Sequence, residues 1–181
     1  MSKVGQIERA TQNRIVTLFR DALKYSYLGN FEERPNNSNI EKNLLARFLK
    51  EQGVKDVLVE KALYELDRVA GDQNKSLYEI NKEVYGLLRY GVKVKADVGE
   101  NTETVWLINW NEPLKNHFAI AEEVTVSGEH SKRPDIVLYV NGIALGILEL
   151  KRSVVSVSEG IRQNLDNQRK IFIQQFFTTI Q

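Results

Sequence analysis

The chain contains no cysteine in 181 residues. That excludes a disulfide framework and any thiolate metal site, and it accords with a reducing compartment. Charge of one sign is also missing: the formal net charge is +1, so any contact with nucleic acid must come from a local patch. No apolar run approaches membrane-spanning length, and the N-terminus has no signal-peptide core. The cytoplasm is the expected location, with no membrane partner. A phosphate-binding Gly-x-x-x-x-Gly-Lys-[Ser/Thr] loop is absent, and the pair Gly86 and Gly91 runs on into Val92, which removes an ATPase reading. His117 and His130 are not spaced as a helical metal pair, which argues against a histidine zinc hydrolase.

What remains is ordinary for a globular protein, 42% hydrophobic and 27% charged, and long enough for one well-buried domain. The most informative stretch is residues 133–151. Two apolar runs flank Asn141-Gly142, a strong hairpin signal. Both runs are apolar at nearly every position, so both faces of the hairpin should be covered. Yet the mouth of this hairpin carries Asp135 on one strand and Glu149 and Lys151 on the other. Charges at the end of a buried hairpin require compensation. A divalent cation held by Asp135, Glu149 and the Leu150 backbone carbonyl would supply it, and hard oxygen ligands suit Mg²⁺, or Mn²⁺ in its stead.

Parity constrains the turn. A two-residue turn would pair Val140 with Ile143 and send Asp135 to the face opposite Glu149. A three-residue connection, with Gly142 as the left-handed residue of a G1 bulge, pairs Tyr139 with Ile143 and brings the charges together. A bulge nearer Asp135 restores parity equally well. The three-residue connection is the expected one.

Pro134-Asp135 followed by Glu149-Leu150-Lys151 resembles the PD-(D/E)XK nuclease motif. The whole hairpin is similar to that in the amino-terminal nuclease region of type I restriction enzyme R (HsdR) subunits. The similarity extends to Asn39-Ile40, Gly91-Val92, the segment Leu107-Ile108-Asn109-Trp110, Asn116-x-Phe118 and Arg162-Gln163-Asn164-Leu165. It implies a Mg²⁺-dependent endonuclease acting on double-stranded DNA. Asp135 and Glu149 would be metal ligands, and Lys151 would orient water or neutralise developing charge. Gln163 matches the first position of the family's Gln-x-x-x-Tyr motif, and Asn167 stands where that motif has Tyr. Carboxylates on a first helix assist the metal in many such nucleases. Glu8 is the residue so placed here, although a solvated helix face accounts for it as well. Lys132, Arg133 and Arg162 are candidate phosphate contacts. The same likeness implies an ATP-driven translocase beyond residue 181, and methyltransferase and specificity subunits as partners. The competing reading is a catalytically inactive nuclease fold that serves as a scaffold for DNA or partner subunits.

The expected fold is α/β, a restriction-endonuclease-like mixed central sheet flanked by helices, with a helical N-terminal half. The chain should form a single nuclease domain over 1–181, helical over 1–90 and with its catalytic core at 91–175. An apolar end at 171–181 suggests a piece of a longer protein. Periodicity predicts a helix over 6–28, closed near Gly29. Ser38-x-x-Glu41 predicts a capped helix to about Glu51, and a third helix, with Val57, Leu58, Ala62, Leu66 and Val69 inward, should fill 55–70. Ser76-x-x-Glu79 predicts a fourth to Tyr90, whose Lys82 and Arg89 suit a solvated face or backbone phosphate. Strands follow over 92–98, 103–109 and 118–126. Lys93 and Lys95 read equally as phosphate contacts and as edge-strand charges that discourage aggregation. Ser156-x-x-Glu159 predicts a last helix carrying Gln163.

Overall fold

Three amphipathic helices form the first layer. Helix α2 (Lys42–Glu51), α3 (Asp56–Ala70) and α4 (Leu77–Tyr90) each put an apolar stripe inward. Leu45, Phe48, Leu58, Leu66, Ile80 and Val84 meet in one buried cluster, as the 3.6-residue period requires. Val57 is not part of it; that side chain is exposed. In this computed structural model the described residues are 3–127, 131–150, 158 and 161–162.

The N-terminal helix differs from its sequence expectation. α1 covers Lys3–Thr17 and continues as a π-helical turn over Leu18–Ala22. Lys24 then takes φ 61°, a left-handed conformation that stops a helix. Ser26–Asn30 is a strand, β1, rather than the end of a helix. Gly29 lies inside that strand with φ 116°.

β2 (Val92–Val94) and β3 (Glu103–Val105) pair antiparallel as a separate two-stranded ribbon. Both are shorter than the runs expected at 92–98 and 103–109. The chain then passes a 3₁₀ turn, Pro113–Lys115, into β4 (Phe118–Glu122). Glu123, at φ 51°, ends β4, so the strand expected to reach residue 126 stops early. β5 (Val126–Ser127) and β6 (Ser131–Lys132) make a second small ribbon. β7 (Ile136–Val140) and β8 (Ile143–Leu148) complete a sheet ordered β1-β4-β7-β8. β1 and β4 run parallel, and the other neighbours antiparallel. The sheet is mixed, and the fold is α/β as expected.

Both faces of the β7-β8 hairpin are buried. Ile120 and Ile136 meet Val16 of α1 on one face. On the other, Val137, Tyr139, Ala144 and Ile147 pack with Phe31, Ala119 and Ala121. The turn end docks on α2. Glu41 N–H donates to the Gly142 carbonyl at 2.7 Å, and Ile40 bridges to Ile143. Of the helix expected after residue 156, Ser158, Ile161 and Arg162 are helical. Its other residues, Gln163 and Asn167 included, lie outside the described residues.

Candidate active site

The hairpin solves the parity problem by a route other than the expected one. Asn141 and Gly142 have φ of 53° and 84°, and Val140 pairs directly with Ile143. Two consecutive positive φ values mark a two-residue type I′ turn. The three-residue G1 connection is therefore corrected. The register shifts farther along: Tyr139 pairs with Ala144, but Leu138 pairs with Gly146, leaving Leu145 as the extra residue of a bulge in β8. Beyond it the pairs are Val137 with Ile147 and Ile136 with Leu148. Carried one step further, the same register would set Asp135 opposite Glu149, and directly opposed residues share a face; the bulge is thus a second route to the parity that the expected turn was to supply.

The reason for the tight turn lies in its surroundings. The Asn141 side chain is fully buried, accepts from His117 N–H at 2.7 Å, and donates to Leu107 O at 2.9 Å and Asn116 Oδ1 at 2.8 Å. A Cβ on Gly142 would lie 2.7 Å from Glu41 O and 2.8 Å from Leu44 Cβ. Backbone and helix start meet so closely there that a longer connection has no room.

At the open end, one Asp135 carboxylate oxygen, Oδ2, accepts from Leu150 N–H at 2.5 Å, which ties the first motif element to the second. The Asp135 carbonyl accepts from Glu123 N–H at 3.0 Å and Gln12 Nε2 at 3.5 Å. Asp135 and Glu149 are both half-buried.

A second acidic group occupies the opposite face. Glu122 pairs with Ile136 across the strands and shares the face of α1. It is 4% exposed and accepts from Tyr27 Oη at 2.6 Å and Gln12 Nε2 at 2.7 Å, with Arg9 at 3.5 Å. A hydroxyl, an amide and a guanidinium together compensate this buried carboxylate. Burial, and then the Glu122 carboxylate, push the Tyr27 phenol up to about 12. Glu123 pairs with Arg133 at 3.0 Å, and Arg133 also meets Glu32. Arg133, a candidate phosphate contact, is thus held by two carboxylates. Arg162 is exposed. The side chains of Glu8 and Lys132 are outside the described residues, as is all of Lys151. Glu8 belongs to α1, one turn before Gln12.

Sequence reasoning missed Glu122, Glu123 and Tyr27, and it placed Gln12 only on a helix face. The Gln12–Glu122 contact spans 110 residues, and no local pattern announces it.

A family model described as type I restriction enzyme R protein N terminus matches residues 5–181. The chain belongs to that family. Within this R protein N-terminal domain the sheet end is where hard oxygen donors gather. Among the described residues no three Asp, Glu, His or Cys side chains converge as a metal cage. Asp135, Glu149 and the Leu150 carbonyl are the donor types that Mg²⁺ takes, since it is bound through one or two carboxylates and keeps several waters. No helix among the described residues is long and apolar enough to cross a membrane.

Proposed function

We propose that the chain is a single Mg²⁺-dependent endonuclease domain of a type I restriction enzyme R subunit, of the PD-(D/E)XK kind, hydrolysing phosphodiester bonds of double-stranded DNA. The observation that carries this reading is the bulge-corrected register, which pairs Ile136 with Leu148 and, carried one residue further, would set Asp135 opposite Glu149. Asp135, Glu149 and the Leu150 carbonyl would hold the metal, a role Mn²⁺ would also fill; Glu8 belongs to α1, which packs on the face of Glu122, so it would join them only by reaching round the open end of the sheet. When bound, the ion supplies Lewis-acid activation of water and charge stabilisation on the phosphate.

The protein's own groups prepare that chemistry. Leu150 N–H fixes the orientation of the Asp135 carboxylate, much as outer partners orient metal ligands elsewhere. Gln12 and Glu123 N–H hold the Asp135 backbone from the other side. Lys151, two residues after Glu149, would share its side if the extended backbone continued, and an ammonium there would stabilise the oxyanion. Gln163 would orient water or phosphate. Lys132, Arg133 and Arg162 would meet the DNA backbone, Arg133 only by leaving its carboxylate partners. The ATP-driven motor and the methyltransferase and specificity subunits would belong to the whole enzyme, working on DNA in the cytoplasm.

One observation favours the scaffold alternative. The Leu150 N–H bond gives Asp135 a structural duty that needs no metal. A plasmid-nicking assay with Mg²⁺ separates the two. Asp135→Asn, Glu149→Gln and Lys151→Ala should each lower nicking by about a hundredfold or more, in line with losses of electrostatic stabilisation at active sites. Nicking unchanged in all three would leave the scaffold as the function.

A further inference from the structure

The face of α4 turned away from the core carries Tyr78, Lys82, Tyr85 and Arg89, all exposed. Their spacing of four, three and four keeps them within one narrow stripe about 16 Å long. Tyr78 and Tyr85 are 76% and 60% exposed, unusual for rings with nothing to cover them. Of the neighbouring carboxylates on this helix, Glu83 is occupied by Lys75 at 2.7 Å and Glu79 by the Ser76 cap.

The stripe runs into a cavity of about 380 Å³. Arg89 forms its rim, with its guanidinium 5.6 Å from the Trp110 ring centre. Trp110 Nε1 donates to Leu88 O at 2.8 Å, which fixes the indole at the cavity wall. Trp106, Phe48, Gln52, Thr104, Asn109 and Asn111 add to the polar and aromatic lining, and no carboxylate among the described residues lines it. Both tryptophans remain about half exposed. This site lies beside the turn end of the β7-β8 hairpin, because Asn141 and Asn109 share Asn116 as partner. The candidate metal ligands are at the other end, on the order of 20 Å away at strand spacing.

We propose that this face binds unpaired DNA, with one base stacked in the Trp106–Trp110 cavity and its neighbours on Tyr85 and Tyr78. Flat rings offer the sequence-tolerant stacking that single strands use, and the cavity amides suit the hydrogen-bonding edge of one base. Lys82 and Arg89 alternate with the rings, where successive phosphates of a stacked strand need cations. A duplex keeps its bases paired and cannot enter. The inference does not depend on cleavage or on a metal.

The chain has two tryptophans, and both line the cavity, so tryptophan emission reports on this site alone. In EDTA, an oligothymidylate of about a dozen nucleotides should quench that emission. It should bind about tenfold or more tighter than thymidine 5′-monophosphate or a duplex of equal length. Tyr85→Ala should weaken the oligonucleotide about fivefold, the loss of one stacked base, and leave the monophosphate unchanged. Arg89→Gln should lower the slope of log affinity against log salt by about 0.7, the value for one cation on a single strand. Circular dichroism of both surface variants should match the parent. Monophosphate binding as tight as the oligonucleotide would make this a free-nucleotide site and overturn the proposal. Equal binding of duplex, absence of quenching, or unchanged affinity in folded Tyr85→Ala would overturn it too.

Discussion

The two ends of the β7-β8 hairpin are built on opposite principles. At the turn end every polar group of the Asn141 side chain is spent on neighbouring backbone or amide groups, and Gly142 is pressed against α2. At the open end Asp135 and Glu149 are half-buried carboxylates just beyond the buried Ile136 and Ile147, and the Asp135 carboxylate accepts from Leu150 N–H. The first end is shaped for stability, whereas the second would, on the proposed reading, leave charged oxygens for a ligand. Between them, the bulge at Leu145 restores the parity that a two-residue turn removes. A tight turn alone would have forced a choice between packing and convergence.

The comparison breaks most sharply at Gly142. Gly142→Val meets both a positive φ and backbone closer than a Cβ tolerates. It should cost about 3 kcal/mol or more in urea unfolding, combining backbone strain with overpacking. Asp135→Asn, at the other end, should change stability by less than about 1 kcal/mol, since the amide oxygen can still accept from Leu150 N–H. Equal losses at both ends would erase the distinction.

Tyr139 sharpens it at an intermediate scale. The residue is fully buried, and its hydroxyl has no hydrogen-bond partner among the described residues. Burial pushes its phenol far upward. Tyr139→Phe should therefore raise the midpoint of unfolding, by about 1 kcal/mol in free energy. A loss of stability would mean that the hydroxyl has a partner outside the described residues or a bound water.

The smallest effect comes from Tyr27. Its phenol rises from 10 when unfolded to about 12 in the fold. A raised pKa contributes stability that is present below pH 10 and lost as pH climbs through 12. Alkaline unfolding should consequently be steeper for the parent than for Tyr27→Phe in that window, and the two should run parallel near pH 8. Identical profiles up to pH 12 would show that the phenol is not so held.

Local chemistry was readable where it was self-contained. Ser76 and Glu79 form the capping box their spacing implies, with Glu79 N–H on Ser76 Oγ at 3.3 Å and Ser76 N–H on Glu79 Oε2 at 2.9 Å. The same spacing at Ser38 and Glu41 fails. Arg34 draws the Glu41 carboxylate away, and Ser38 Oγ accepts from Ile40 N–H instead. β1 was hidden because its five residues show no alternation of burial and its partner β4 is distant in the chain, Ser26 pairing with Ala119. At the candidate site, sequence parity exposed the need for an extra residue. It could not locate that residue at Leu145, because the close fit of the turn against α2 decides between turn and strand.

The most direct measurement uses the absence of cysteine, since any introduced pair is then the only one. Opposed antiparallel residues bring their Cβ atoms to about 5 Å, close enough for a disulfide after small adjustment. On mild oxidation Asp135→Cys with Glu149→Cys should cross-link rapidly. Asp135→Cys with Leu148→Cys, one residue out of register, should stay reduced. The reverse pattern would put Asp135 and Glu149 on opposite faces and contradict a shared metal.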